Sequence, residues 1–452
     1  MLNDWTDALD GVLDSLEDAE MTLSAEGSGR KSSGSYYTPA DVADHFWRLF
    51  WRHHSVASSD DAKKLIEQIT FVEPAVGAGM FLFSLLRSLA ELGVGPEDSS
   101  AIRFRAVDLN QAALDFVAGQ IESLEHKFNV AFNDVELQQA NFLDWVCENE
   151  FKDVAFVGNP PFVTNERGSR WKNLYADFVE TMLDQAKGSR IGLILPVSVC
   201  FSRDYVSLRR LIREAGLPLS ASSYDNMPDY LFKAGKPDSR NTNKANSQRC
   251  TILNLGGPRS GVVESSPLLR WSSGERADFL SSIPDFHDCS GYDLERQIPR
   301  PADQELSRYL ENTDGKRLTG ALMSKIGSGV FSIGAVARNF IGIREYEGKV
   351  SGVIPVRTAE RDTALILLQI LGSSLFYKYW RTYGDGFHVT NDVVDRFPIS
   401  DALLHECEQK IDIAAEAWSN RETYAKVKRN SGKTVKSYDF SSAFQGLYVA
   451  HA

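Results

Sequence analysis

Directly after the small apolar run "AFVG", the chain places an amide, two imino acids and an aromatic ring: Asn159-Pro160-Pro161-Phe162. A plain turn accounts for the stretch taken alone, since Asn-Pro opens turns and Pro-Pro stops strands. A second candidate is Glu73-Pro74-Ala75-Val76-Gly77-Ala78-Gly79, where two glycines one residue apart let the backbone approach a ligand closely. Leu82 stands where a dinucleotide site has its third glycine. That fits a ligand without a pyrophosphate, and a simple tight turn is the alternative. Asp108 ends the next apolar run and, by the logic of dinucleotide folds, would bond ribose hydroxyls. Its other role, a helix N-cap, can be filled by Asn110 instead.

These residues need strand ends to hold them, and the sequence supplies a series of strands. "QITFVEPAVG", "AIRFRAVDLN", "DVAFVGNPPF" and "RIGLILPVSV" read as strands. The helical patterns "MFLFSLLRSLAEL", "QAALDFVAGQIESL" and "YADFVETMLDQA" fall between them. Strands alternating with helices of this length predict an α/β fold whose mostly parallel sheet is covered on both faces. Such sheets bind ligands at the carboxyl ends of their strands, where both candidate turns fall. Residues 1–34 read as an acidic amphipathic helix and a flexible joint, and 35–257 as the α/β domain. Residues 258–400 read as a separate mixed α+β domain with one helix at "TALILLQILGSSLFYKYWRTY", and 401–452 as a helical segment with a basic tail.

At 452 residues the chain is expected to hold two or three domains. Its hydrophobic content of 43% and charged content of 24% are those of a soluble globular protein. No apolar run is long enough to span a bilayer, and "MLNDWTDALDGVLDSLEDAE" carries no signal-peptide pattern. Cys147, Cys200, Cys250, Cys289 and Cys407 are scattered, which argues against a disulfide framework or zinc site and for a reducing cytoplasm. His53, His54 and His388 have no carboxylate or cysteine partners at ligand spacing, so no metal is expected. A net charge of −12 argues against wholesale coating of nucleic acid but leaves room for a local basic face.

"GSYYTPADVADHF", "FVEPAVGAGMF", "AVDLN", "ANFLDW" and "FVGNPPF" occur in this order over roughly residues 34–257. In that order they resemble the Eco57I- and TaqI-like methyltransferases that act on the N6 amino group of adenine in DNA. A weaker likeness extends to "YGDGFHVTNDVVDRFPIS", which is similar to the end of a recognition domain. The resemblance implies a Rossmann-like methyltransferase domain followed by a target-recognition domain. It implies S-adenosyl-L-methionine as cofactor and double-stranded DNA as substrate, within a restriction or related defence system.

Residue by residue, it assigns Tyr37, Thr38 and Pro39 to the methionine end of the cofactor. Glu73, Ala75, Gly77 and Gly79 fall in the turn bordering its amino acid and ribose, with Asp108 on the ribose hydroxyls. Phe142 would flank the cofactor's adenine. Where family members usually have Asp, this chain has Asn141, whose carbonyl accepts the same hydrogen bond without charge assistance. Asp144 is the alternative partner. Asn159 and Pro160 would accept the two N–H bonds of the target amino group, Pro161 would stiffen the turn, and Phe162 would stack on the base. The base must be flipped out to enter such a pocket. Phe178 and Phe232 stand where the family has further base contacts, though core aromatics would look the same. The loop "KAGKPDSRNTNKANSQR" could contact phosphates. No nuclease centre is recognisable, so cleavage is expected of a separate endonuclease. The Asn-Pro-Pro turn also serves enzymes that methylate a protein glutamine or an RNA guanine, and a DNA-binding subunit without turnover is a further alternative.

Overall fold

The computed structural model describes residues 2–26, 38–185, 189–232, 248–292, 294–301, 304–313, 315–323, 327–348, 350–430 and 433–447. The chain divides into two compact units, Met1–Ile298 and Pro299–Ala452.

The first unit is organised by a nine-stranded sheet in the order β3-β2-β1-β4-β5-β7-β6-β8-β9. The strands are β1 (Thr70–Glu73), β2 (Arg103–Asp108), β3 (Val135–Gln139), β4 (Val154–Gly158), β5 (Arg190–Pro196), β6 (Leu219–Tyr224), β7 (Cys250–Leu255), β8 (Val263–Leu269) and β9 (His287–Asp288). β1 pairs in parallel with both β2 and β4, and the parallel pairing continues to β3 and β5. β7 runs antiparallel to both its neighbours, β5 and β6. Every residue of β4, β6 and β7 is buried, as expected where helices cover both faces of a sheet. The expected strands at β1, β2, β4 and β5 are all present, followed by the expected helices.

Four helices position the site: α1 (Leu2–Glu26), α2 (Ala40–His53), α3 (Met80–Glu91) and α4 (Gln111–Phe128). On α1, Trp5, Leu9, Val12, Leu13 and Leu16 form a stripe at helical spacing and are buried in the core of this unit. Asp10 on the polar side pairs with Arg87 of α3 at 2.6 Å. The acidic helix is therefore part of the fold.

The expected domain boundary at 257 lies inside the first unit. β8 adds to β6 in parallel, and the helix Arg276–Ser281 packs against α2. The Ser-Ser-Pro of β8 disguises a strand, and the register shifts between Ala221 and Ser223, opposite this stretch, as befits proline at an irregularity.

The second unit has an antiparallel sheet ordered β12-β10-β11-β14-β13, from β10 (Ser328–Gly334), β11 (Ile343–Glu345), β12 (Val353–Thr358), β13 (Ala425–Asn430) and β14 (Lys433–Tyr438). Two features depart from expectation. The stretch 363–383 is two helices, Arg361–Gly372 and Ser374–Tyr383, because the Ser373 hydroxyl accepts from the Phe376 N–H and caps the second. The segment 401–452 is not separate: Gln369 donates to the Cys407 carbonyl at 2.9 Å, and the basic tail forms the β13–β14 hairpin of the sheet. Among the described residues, no helix is long and apolar enough to cross a membrane.

Candidate active site

β1 and β4 lie side by side, so the turns at their carboxyl ends meet. A Cβ added to Gly158, where φ is +142°, would sit 3.4 Å from both Glu73 Cγ and Pro74 Cδ. In the first turn Gly77 and Gly79 take φ of +54° and +93°. Gly79 begins α3, and a Cβ there would fall 2.8 Å from the Phe83 ring, so this position is closed by the protein's own packing. Glu73 is buried at the end of β1.

Asp108 ties this turn to β2. Its Oδ2 accepts from the Gly77 N–H and its Oδ1 from the Asn110 N–H, both at 2.9 Å. Asn110 takes the N-cap of α4, its oxygen accepting from the Ala112 N–H at 3.1 Å. The choice left open by the sequence is thus resolved in favour of Asn110 as cap. Asp108 remains a half-exposed carboxylate with lone pairs to spare for hydroxyl donors.

Beyond β3, Asn141 caps the turn Phe142–Trp145, its Oδ1 accepting from the Leu143 N–H at 3.0 Å. The oxygen expected to face a cofactor adenine is thus engaged by the backbone. Asp144 pairs with Arg167 at 2.6 Å. Phe142 is buried and stacks on Phe178 with centroids 5.1 Å apart. Phe178 therefore lies beside Phe142, within the core of the unit.

In the second turn, Asn159 Nδ2 donates to the Thr38 hydroxyl at 3.1 Å. Thr38 precedes Pro39, whose carbonyl receives the first N–H groups of α2. This bond fixes which side of the Asn159 amide is which and turns Oδ1 away from Thr38. Phe162 is 8% exposed and stands edge-on to Tyr175 and Phe232, at 6.3 and 6.5 Å. The structure thus brings Thr38, Asn159, Phe162 and Phe232 together, and groups Phe178 with Phe142. Tyr37 lies outside the described residues, as do 233–247 of the polar loop.

Sequence reasoning passed over the loop after Phe162. It closes on itself through the Asn165 N–H to the Lys172 carbonyl at 3.0 Å and the Leu174 N–H to the Val163 carbonyl at 2.9 Å. Arg167, Arg170 and Lys172 on it pair with Asp144, Glu180 and Asp204. Three cations within six residues, directly after the turn, were the available signal.

No protein-family model and no curated protein sequence matches the chain. Solved structures do. MmeI, a Type IIL restriction-modification enzyme determined in complex with DNA, matches at TM-score 0.50 and 14% identity over 86% of this chain and 72% of its own. The DrdV–DNA complex matches at 0.48 and 12%, over 72% of this chain and 37% of its own. The type IIG restriction endonuclease BpuSI matches at 0.44 and 13%, over 89% and 63%. The chain thus spans little more than a third of the DrdV chain. The likeness to MmeI is one of fold alone, and in this chain that fold is an α/β unit with a mostly parallel sheet followed by a unit built on an antiparallel one.

Proposed function

We propose that the chain is an S-adenosyl-L-methionine-dependent DNA methyltransferase acting on the N6 amino group of a flipped-out adenine in double-stranded DNA. On this reading it is the modification component of a restriction or defence system, with cleavage left to a separate endonuclease. The observation that carries the reading is Asn159. Its amide is oriented by Thr38 at the end of β4, beside the buried Glu73 at the end of β1.

The residues suit the cofactor. Gly158 leaves the two turns room to meet, and Asp108 is held by two backbone N–H groups and can accept from ribose hydroxyls. When bound, the cofactor supplies an electrophilic methyl group on sulfur. Asn159 Oδ1 and the Pro160 carbonyl then accept the two N–H bonds of the target amino group. That localises the nitrogen lone pair, which is otherwise delocalised into the ring. The target nitrogen would thereby be aimed at the methyl group the cofactor would supply, and would give up one of its two protons to solvent after accepting it. The chain's contribution is positioning and preorganised acceptors. Phe162 and Phe232 form the aromatic side of the base pocket, and the second unit is assigned to target recognition.

The test is transfer of labelled methyl from S-adenosyl-L-methionine to host DNA, with the modified base identified by mass spectrometry. N6-methyladenine supports the reading; label in a protein glutamine or an RNA guanine overturns it. One alternative is a DNA-binding subunit without turnover. Calorimetry with S-adenosylhomocysteine separates the two, because a decayed site binds none.

A further inference from the structure

Arg276 opens the short helix Arg276–Ser281, far in sequence from either candidate turn. Its guanidinium joins two separate segments. Nε and Nη2 donate to the two oxygens of Asp41 at 2.7 and 3.0 Å, a fork-on-fork ion pair. Nη1 donates to the Tyr230 carbonyl at 3.0 Å and Nη2 to the Leu231 carbonyl at 2.8 Å. Asp41 lies in the first turn of α2, directly after Thr38-Pro39, whose Thr38 hydroxyl holds Asn159. Leu231 precedes Phe232, which meets Phe162 edge-on.

We infer that Arg276 is a positioning residue for methyl transfer, setting the separation between the Thr38 wall and the Phe232 wall of the pocket around Asn159 and Phe162. This rests on the reading of that pocket as the site of the target base. The Asp41 side chain is 43% exposed, and an ion pair so placed contributes little by itself. Tyr230 and Leu231 are buried, so the donors to their carbonyls carry more of the tie. Only a guanidinium serves a carboxylate and two carbonyls at once; the three donors of an ammonium on a flexible stem do not reproduce that fork. The helix itself is held independently. Phe279 stacks on Trp271 at 4.6 Å, and the Leu280 carbonyl accepts from His45 Nδ1 at 2.7 Å. Removing the guanidinium should therefore loosen the two walls without unfolding the unit.

The experiment uses Arg276→Gln and Arg276→Lys in the full chain. Steady-state transfer is measured on the wild type's own target DNA, alongside S-adenosylhomocysteine affinity and backbone hydrogen exchange. The expected result is a fall in kcat of up to about a hundredfold in Arg276→Gln, with KM for DNA and S-adenosylhomocysteine affinity little changed. Arg276→Lys should remain impaired. Exchange should quicken together in 38–43 and 228–232 while α3 and β4 keep their protection. A wild-type kcat in Arg276→Gln, or full rescue by Arg276→Lys, overturns the proposal. So does unchanged exchange in either wall, or loss of protection throughout the unit. If wild-type protein transfers methyl to no DNA, the functional reading falls by itself, and the exchange measurement still decides whether Arg276 ties the two walls.

Discussion

In Met1–Ile298 the central strands run parallel, and the turns at their carboxyl ends gather the polar residues of the candidate site. In Pro299–Ala452 the strands are antiparallel, and the outermost hairpin holds Lys426, Lys428 and Arg429 out in solvent. A parallel sheet buried on both faces leaves its functional groups only one edge from which to emerge. An exposed hairpin displays side chains on two faces along its length. The first arrangement suits chemistry on one enclosed group, and the second suits binding along an extended polymer.

The sharpest way to break that division is Asn159→Ala. Methyl transfer should fall by about two to three orders of magnitude with S-adenosylhomocysteine affinity intact, as when an acceptor used chiefly in the transition state is removed. Near wild-type transfer would remove the second turn from the chemistry.

Acid should divide the units next. Burial lowers His45 to about 4 despite its bond to the Leu280 carbonyl, and lowers His53 to about 4 despite its bond to the Gly256 carbonyl. Both are neutral when folded and bind protons more readily when unfolded. Their contribution is complete above the ordinary histidine value of 6.5 and is lost as pH falls toward 4, at up to about 1.4 kcal/mol per pH unit for each. His388 and His405 in the second unit are exposed. Hydrogen exchange between pH 7 and 4.5 should show the first unit losing protection before the second; equal loss in both would remove these histidines from the account.

Asp108→Ala should weaken S-adenosylhomocysteine binding by about 1.5–3 kcal/mol in calorimetry, since a charged acceptor is removed. Unchanged affinity would take the first turn out of the site. The smallest effect belongs to the hairpin. Neutralising Lys426, Lys428, Arg429, Lys433 and Lys436 should weaken binding to any DNA and lower the salt slope by about 0.9 for each phosphate the protein no longer neutralises, leaving the methylated motif alone. Lys436 should matter least, since it already pairs with Glu422 at 2.6 Å. A changed motif would mean that the hairpin reads sequence; polar substitutions elsewhere in the second unit are expected to do that.

The same contrast governs what the sequence discloses. β1, β4 and β5 are apolar runs because both sheet faces are covered, and each ends at a breaker, so strands and turns could be read directly. β6, "LSASSY", is equally buried, yet its hydroxyls find partners within the sheet. Ser223 donates to Thr251 at 3.2 Å, and Thr251 to the Ser222 carbonyl at 3.1 Å. Hydroxyls paired in this way look like loop in a linear reading. β13 and β14 alternate cations with Val and Thr, and their pairing depends on register that charge alone conceals. The Thr38–Asn159 bond spans 121 positions and has no local signature. The Asn141 cap lay within reach, because Asn followed by a short apolar turn is a capping pattern.

β13 has one further consequence. Among the described residues it ends its sheet, and Val427 on it is 63% exposed, so its outer backbone groups offer a template on which a second copy could pair. The cations on that strand repel such a copy. The charges proposed to hold DNA would then also oppose pairing edge to edge, and a variant stripped of them should self-associate with rising concentration even where no nucleic acid is present.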